Sequence, residues 1–141
     1  EHVMLGINAK ASELQAAMGL VNLNHIEEIL TQRKEVFNLY DKHLNTNINR
    51  PAAPKEVTPN YAYYPIVFNS EKELLSKLQN LAEKDIYPRR YFYPSLNKLP
   101  YLVDVQSCPV SEDIASRIVC LPMYPGLEEE DVIKICEVIN R

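Results

Sequence analysis

The sequence predicts an α+β fold: one long N-terminal helix, then a small, mainly antiparallel sheet covered by helices on one face. Three observations carry this reading. Apolar residues recur at three- and four-residue steps from Leu14 to Leu44, the period of an amphipathic helix. Short runs rich in β-formers stand at 61–68 and 118–121. Between and after them lie capped stretches of helical period, giving the order helix, strand, helix, strand, helix, strand, helix.

The first element opens at Ser12-Glu13-Leu14-Gln15, a capping-box pattern in which the serine hydroxyl serves the backbone N–H three residues on. The periodic stripe of Leu14, Met18, Val21, Ile26, Phe37, Tyr40 and Leu44 predicts one helix ending near residues 43–45, with Gly19 a weak spot. Residues 45–59 are polar and hold three prolines, so they form a connecting loop. Residues 61–68 read as a strand, and Pro65, which has no N–H to donate, puts it at an edge or a bulge. Ser70 caps a second helix running to about residue 84, with Leu74, Leu78 and Leu81 as its buried stripe. Residues 86–93 are strand-like but interrupted by Pro88, and 94–110 is a proline-broken loop. A short helix capped by Ser111 spans 111–117, and a strand at 118–121 stops at Pro122. Gly126 marks a turn before a final helix at 128–140, whose acidic first turn suits the helix dipole. The chain thus divides into a turn and long connecting helix (1–45) and a small α+β domain (46–141), with no internal repeat.

Composition narrows the function classes. The 141 residues are enough for one core, and 46% hydrophobic content makes the chain globular. A net charge of −4 argues against nucleic acid as a partner, because phosphate backbones need a basic face. No apolar run is long enough to span a bilayer, so no membrane partner is expected. Cys108, Cys120 and Cys136 are odd in number and lack metal or disulfide spacing, which favours a reduced, cytoplasmic protein without a metal site. The opening Glu1-His2-Val3-Met4 has no signal-peptide character, and the chain reads as a piece of something longer.

Two places suit an anion. Residues 6–12 lead into a helix N-terminus, where free N–H groups and the dipole favour negative charge, with Asn8 and Lys10 as donors. An ordinary capped turn explains the same residues more simply. In Pro88-Arg89-Arg90-Tyr91-Phe92-Tyr93-Pro94, Arg89 and Arg90 beside Tyr91 and Tyr93 have the chemistry to grip a diphosphate and stack a ring. An exposed strand with arginines on its wet face accounts for that pattern as well. No nucleophile–base pair, P-loop or glycine-rich dinucleotide motif is present, so no catalytic residue is assigned.

The run Gly6-Ile7-Asn8-Ala9-Lys10-Ala11-Ser12-Glu13-Leu14-Gln15-Ala16-Ala17-Met18-Gly19-Leu20 resembles a signature segment of the DegT/DnrJ/EryC1/StrS aminotransferases, sugar-nucleotide enzymes of the type I pyridoxal-phosphate fold. Arg33 and Tyr40 look like that family's spacing on the same helix. Residues 86–97 and Val119-Cys120-Leu121-Pro122-Met123-Tyr124 look like its C-terminal landmarks. The version Pro-Arg-Arg-Tyr-Phe-Tyr-Pro-Ser-Leu-Asn resembles the VioA-like branch, which makes 4-amino-4,6-dideoxyhexoses on dTDP.

The resemblance implies a C-terminal small domain, with the large domain and its Schiff-base lysine upstream, and a fragment inert by itself. It implies a homodimer, pyridoxal 5'-phosphate as cofactor, glutamate as amino donor and a 4-keto-6-deoxy sugar nucleotide as acceptor. Asn8 would reach the partner's cofactor phosphate, with Lys10 nearby, and the 89–93 segment would line the sugar-nucleotide side. Many members carry a histidine shortly after the proline matching Pro94. Ser95-Leu96-Asn97 stand here instead, so substrate contacts of that loop do not carry over. A dehydratase of the same family, with histidine in place of the upstream lysine, and a stand-alone binding or dimerisation module are the alternatives.

Overall fold

A computed structural model describes residues 11–52, 56–91, 93–103 and 105–141. Asn8 and Lys10 lie outside the described residues.

The Ser12 capping box forms in both directions. Its hydroxyl accepts from the Gln15 N–H, and the Gln15 side chain accepts from the Ser12 N–H at 2.7 Å. The single long helix expected from periodicity is instead two, α1 (Glu13–Leu23) and α2 (Ile26–His43). The break falls at Asn24 and His25, whose N–H groups turn back to Val21 and Asn22 in tight i→i−3 bonds. The cause is local: Asn22, Asn24 and His25 are weak helix formers clustered within four residues, whereas Gly19 stays helical. The apolar periodicity runs through this break, which is why it hides it. No residue of α1 is buried, while α2 buries Val36 and Tyr40.

Strand β1 (Tyr64–Val67) pairs antiparallel with β2 (Ile118–Leu121), Tyr64 opposite Leu121 and Ile66 opposite Val119. These four face inward and are buried, so the two-residue alternation is kept on both strands. Pro65 and Cys120 point to the other face. β1 is shorter than the expected 61–68. The third strand expected at 86–93 is reduced to one bridge: Arg89 exchanges both backbone hydrogen bonds with Cys120, at 3.1 and 2.9 Å. Pro88 and Pro94 flank it and leave too few donors for a ladder. Asn49 makes the matching single bridge to Val67 on the opposite edge.

Helices α3 (Glu71–Ala82) and α5 (Glu129–Asn140) pack with α2 on the inner face of the sheet. Ser70 caps α3 as its sequence predicts, accepting from the Glu73 N–H at 3.1 Å. Leu74 and Leu81 are fully buried and Leu78 partly so; α5 adds Val132, Ile135, Cys136, Val138 and Ile139 to the same core. Tyr40 is sealed in this core, with its hydroxyl donating to the Pro122 carbonyl at 2.9 Å.

Helix α4 (Pro109–Arg117) begins two residues before the expected start. Pro109 takes the first turn, where its missing N–H costs nothing. The Glu112 carboxylate, not Ser111, serves the end by accepting from the Cys108 N–H at 3.0 Å. Ser111 is left free to face Ser95. Within the expected loop, Leu96–Lys98 makes one 3-10 turn. Gly126 takes φ +82°, the left-handed turn expected before α5.

Candidate functional site

In an extended segment successive side chains leave on opposite sides. That rule separates the two arginines. Arg89 and Tyr91 share the outer side, where the Arg89 Nη1 donates to the Tyr91 hydroxyl at 3.3 Å and the guanidinium stands 5.9 Å from the ring centre. This hydrogen bond raises the Arg89 pKa further, so the exposed cation is permanent. Tyr63 meets Tyr91 edge-on, with centroids 4.9 Å apart, and is half exposed.

Arg90 leaves on the other side, towards the helices. Its Nη2 donates to Glu71 Oε1 at 2.9 Å and to the Ser116 carbonyl at 2.7 Å. Its guanidinium lies 3.5 Å from the centre of the Tyr93 ring. Hydrogen bonds from Arg90 and then from Tyr93 hold the Glu71 carboxyl below the usual range. All four residues expected to face a ligand border one hollow, but Arg90 is 17% exposed and spends its hydrogen bonds on Glu71 and Ser116 within the fold.

Three hollows meet at this ridge. One of 680 Å³ is largely apolar and runs between Tyr63, Tyr91, Leu96, Ile114 and the outer face of β2. One of 440 Å³ lies against Arg89, Arg90, Tyr91, Tyr93 and Tyr101. One of 360 Å³ lies between Tyr87, Arg89, Tyr63 and Tyr124. Tyr91 borders all three and Arg89 two, so a permanent cation and an aromatic face sit where the hollows join.

A polar lock closes the far wall. Ser95, buried, donates to Asn97 Oδ1 at 2.7 Å and lies 2.8 Å from the Ser111 hydroxyl, which therefore donates to it. Asn97 Nδ2 donates to the Gln106 carbonyl at 2.8 Å and to Glu112 at 2.7 Å. The Cys108 N–H, then Asn97 and Lys98, pull the Glu112 carboxyl down to about 2. Ser95 and Asn97 are thus spent on holding their own loop against α4.

Sequence reasoning missed Tyr63, Glu71 and this lock. Tyr63 was within reach: in a strand that buries Tyr64 and Ile66, position 63 must face outward. Glu71 carries no local signal, because its partner Arg90 is 19 residues away, and the tie from Glu112 to Asn97 spans 15. Tyr40 belongs to the core. Arg33, also on α2, has a buried Nε–H without a partner among the described residues. Among the described residues no group of His, Cys, Asp and Glu could hold a metal, and no helix is long and apolar enough to cross a membrane.

The chain is 34% identical to dTDP-4-amino-4,6-dideoxy-D-glucose transaminase of Escherichia coli, over 95% of this chain and 38% of that protein. It is 31% identical to GDP-perosamine synthase of Escherichia coli O157:H7, over 99% of this chain and 38% of that protein. The chain therefore spans little more than a third of these relatives. Its backbone matches a Streptococcus pneumoniae protein described as a sugar aminotransferase and solved in its PLP-form, with a TM-score of 0.76 at 24% identity, over 92% of this chain and 35% of that one. The model of the DegT/DnrJ/EryC1/StrS aminotransferase family matches residues 1–140, and the chain belongs to that family.

Proposed function

We propose that this chain is the C-terminal small domain of a pyridoxal-phosphate-dependent aminotransferase that passes an amino group, with glutamate as donor, to a 4-keto-6-deoxy sugar nucleotide such as a dTDP-sugar. The observation that carries the acceptor class is the Arg89–Tyr91–Tyr63 ridge: a fixed exposed cation for a diphosphate, beside aromatic faces for a sugar or base. The two curated relatives are named for dTDP- and GDP-linked aminosugars, and both names share the nucleoside diphosphate that such a ridge would hold.

In this reading the cofactor meets the chain at the start of α1. Residues 11–23 are exposed, and α1 starts directly after the sequence that carries Asn8 and Lys10, where the positive end of its dipole favours an anion. In this reading Asn8 and Lys10 hold the cofactor phosphate of a partner subunit in a cytoplasmic homodimer. Bound pyridoxal phosphate supplies the electron sink for amino transfer. The lysine that anchors it lies in the upstream domain, so the 141-residue chain by itself is inactive. The bare apolar residues of α1, including Leu14, Met18, Leu20 and Val21, support a neighbour on that helix.

The test uses the full-length gene product. Arg89→Ala weakens its affinity for dTDP about tenfold or more, the cost of one charge-assisted hydrogen bond, and leaves its affinity for glutamate unchanged. Equal loss for both ligands, or none for dTDP, removes the ridge from the acceptor site.

A further inference from the structure

The paired arginines look alike in sequence, and their surroundings differ in kind. We propose that they divide their work: Arg89 touches the ligand, and Arg90 is a positioning residue, an inward strut that fixes the 89–93 segment so that Arg89 and Tyr91 face the hollows. The inference rests on the sugar-nucleotide reading above and adds to it how the site is held in shape.

Two helix ends set the socket. Glu71 is the first residue of α3, and Ser116 is the next-to-last of α4. The Ser116 carbonyl is one of the last four of its helix, which have no partner within the helix and carry the negative end of the dipole. The two N–H groups of one guanidinium nitrogen diverge at a fixed angle in the guanidinium plane, so they can serve a carboxylate and a carbonyl together, whereas a lysine ammonium rotates freely. In Arg90 that nitrogen is Nη2, which donates to Glu71 Oε1 and to the Ser116 carbonyl. The Tyr93 ring packs on its face at 3.5 Å. The side chain is 17% exposed. Its Nε–H is sealed from solvent without a partner among the described residues, so no ligand in the hollows reaches that atom. Arg90 therefore ties the 89–93 segment to α3 and α4 at once, and only its outer edge borders the 440 Å³ hollow that Arg89 and Tyr91 line. The bridge of Arg89 to Cys120 fixes the same segment to β2. Between these two anchors the direction of the Arg89 and Tyr91 side chains is determined.

The test compares Arg89→Ala, Arg90→Ala and Glu71→Gln in the full-length protein. It uses dTDP and GDP as probes at several salt concentrations, and amide hydrogen exchange over residues 87–95. Arg89→Ala should weaken binding and flatten its salt dependence, because an exposed charge has left the ligand, with exchange unchanged. Arg90→Ala should weaken binding about tenfold, keep the wild-type salt dependence and speed exchange of the segment. Glu71→Gln should do the same more mildly, and the Arg90→Ala, Glu71→Gln double variant should bind no worse than Arg90→Ala. Glu71→Gln keeps the test open if Arg90→Ala fails to fold.

A flattened salt dependence in Arg90→Ala, with Glu71→Gln silent, would make Arg90 a direct contact and overturn the proposal. Faster exchange with unchanged affinity would reduce it to a structural residue and overturn it too. If the wild-type protein binds neither dTDP nor GDP, the sugar-nucleotide reading falls and takes the ligand half with it. The strut then stands if exchange quickens in Arg90→Ala and Glu71→Gln but not in Arg89→Ala, and falls if it does not.

Discussion

Tyr40→Phe tests how α2 is fastened to the sheet. The Tyr40 ring is fully buried against Tyr64, 4.7 Å between centroids, and its hydroxyl donates to the Pro122 carbonyl across 82 residues of sequence. Phenylalanine keeps the ring and removes only the donor. The loss is one buried hydrogen bond, about 0.5–1.5 kcal/mol, plus part of the cost of a carbonyl left without its donor, less the hydroxyl's own desolvation. About 1–2 kcal/mol follows. For a chain of this size that lowers Tm by roughly 3–7 °C. The assay is thermal and urea unfolding of the purified chain, with Tyr87→Phe, at an exposed tyrosine, as the control expected to shift little. A Tyr40→Phe midpoint equal to the control would refute the claim that this bond joins α2 to the end of β2. Burial also raises the Tyr40 phenol, and burial with the Asp41 hydrogen bond raises Tyr64. Both pKa values are raised on folding, so their contribution is full below about pH 10, the ordinary phenol value, and is lost as pH rises beyond it. Urea midpoints should therefore fall on the alkaline side.

Other perturbations follow from the same geometry. Ser70→Ala removes the α3 cap and should cost about 1 kcal/mol by urea unfolding; Ser70→Gly should cost less. The Glu112 carboxyl is depressed on folding from 4.5 to about 2, so its contribution is present above pH 4.5 and lost as pH falls towards 2. Wild-type urea midpoints should drop across that window more steeply than those of Glu112→Gln. Iodoacetamide at pH 8 should label exposed Cys108 first and Cys136 last, since burial pushes the Cys136 thiol up to about 11. Labelling of all three at one rate would show that the α5 core is open in solution.

The sequence carried what depends on local chemistry. The caps at Ser12 and Ser70, the strand at 118–121 and the stripe of α3 follow from hydroxyls, β-branched runs and helical spacing within a few residues. What it concealed is non-local or set by competition. The apolar stripe crosses Asn24 unbroken, so periodicity joins α1 to α2, although three weak formers part them. Residues 86–93 have strand composition, but flanking prolines leave one bridge. Ser111 looks like a cap and is a lock, because Pro109 claims the first turn ahead of it. The arginine pair is visible as chemistry in the sequence. Its division into an outer and an inner member needs Glu71 and Ser116, which only the fold brings to the same place.

The most direct measurement of the central proposal is mass spectrometry of a sugar nucleotide incubated with the full-length protein. Pyridoxal phosphate and ¹⁵N-labelled glutamate would be present, with a dTDP-4-keto-6-deoxyhexose as acceptor. The account predicts ¹⁵N at the former keto carbon, and none when the 141-residue chain replaces the full-length protein. Conversion of the sugar without nitrogen uptake would point to the dehydratase alternative, and no conversion of any keto sugar nucleotide would contradict the account.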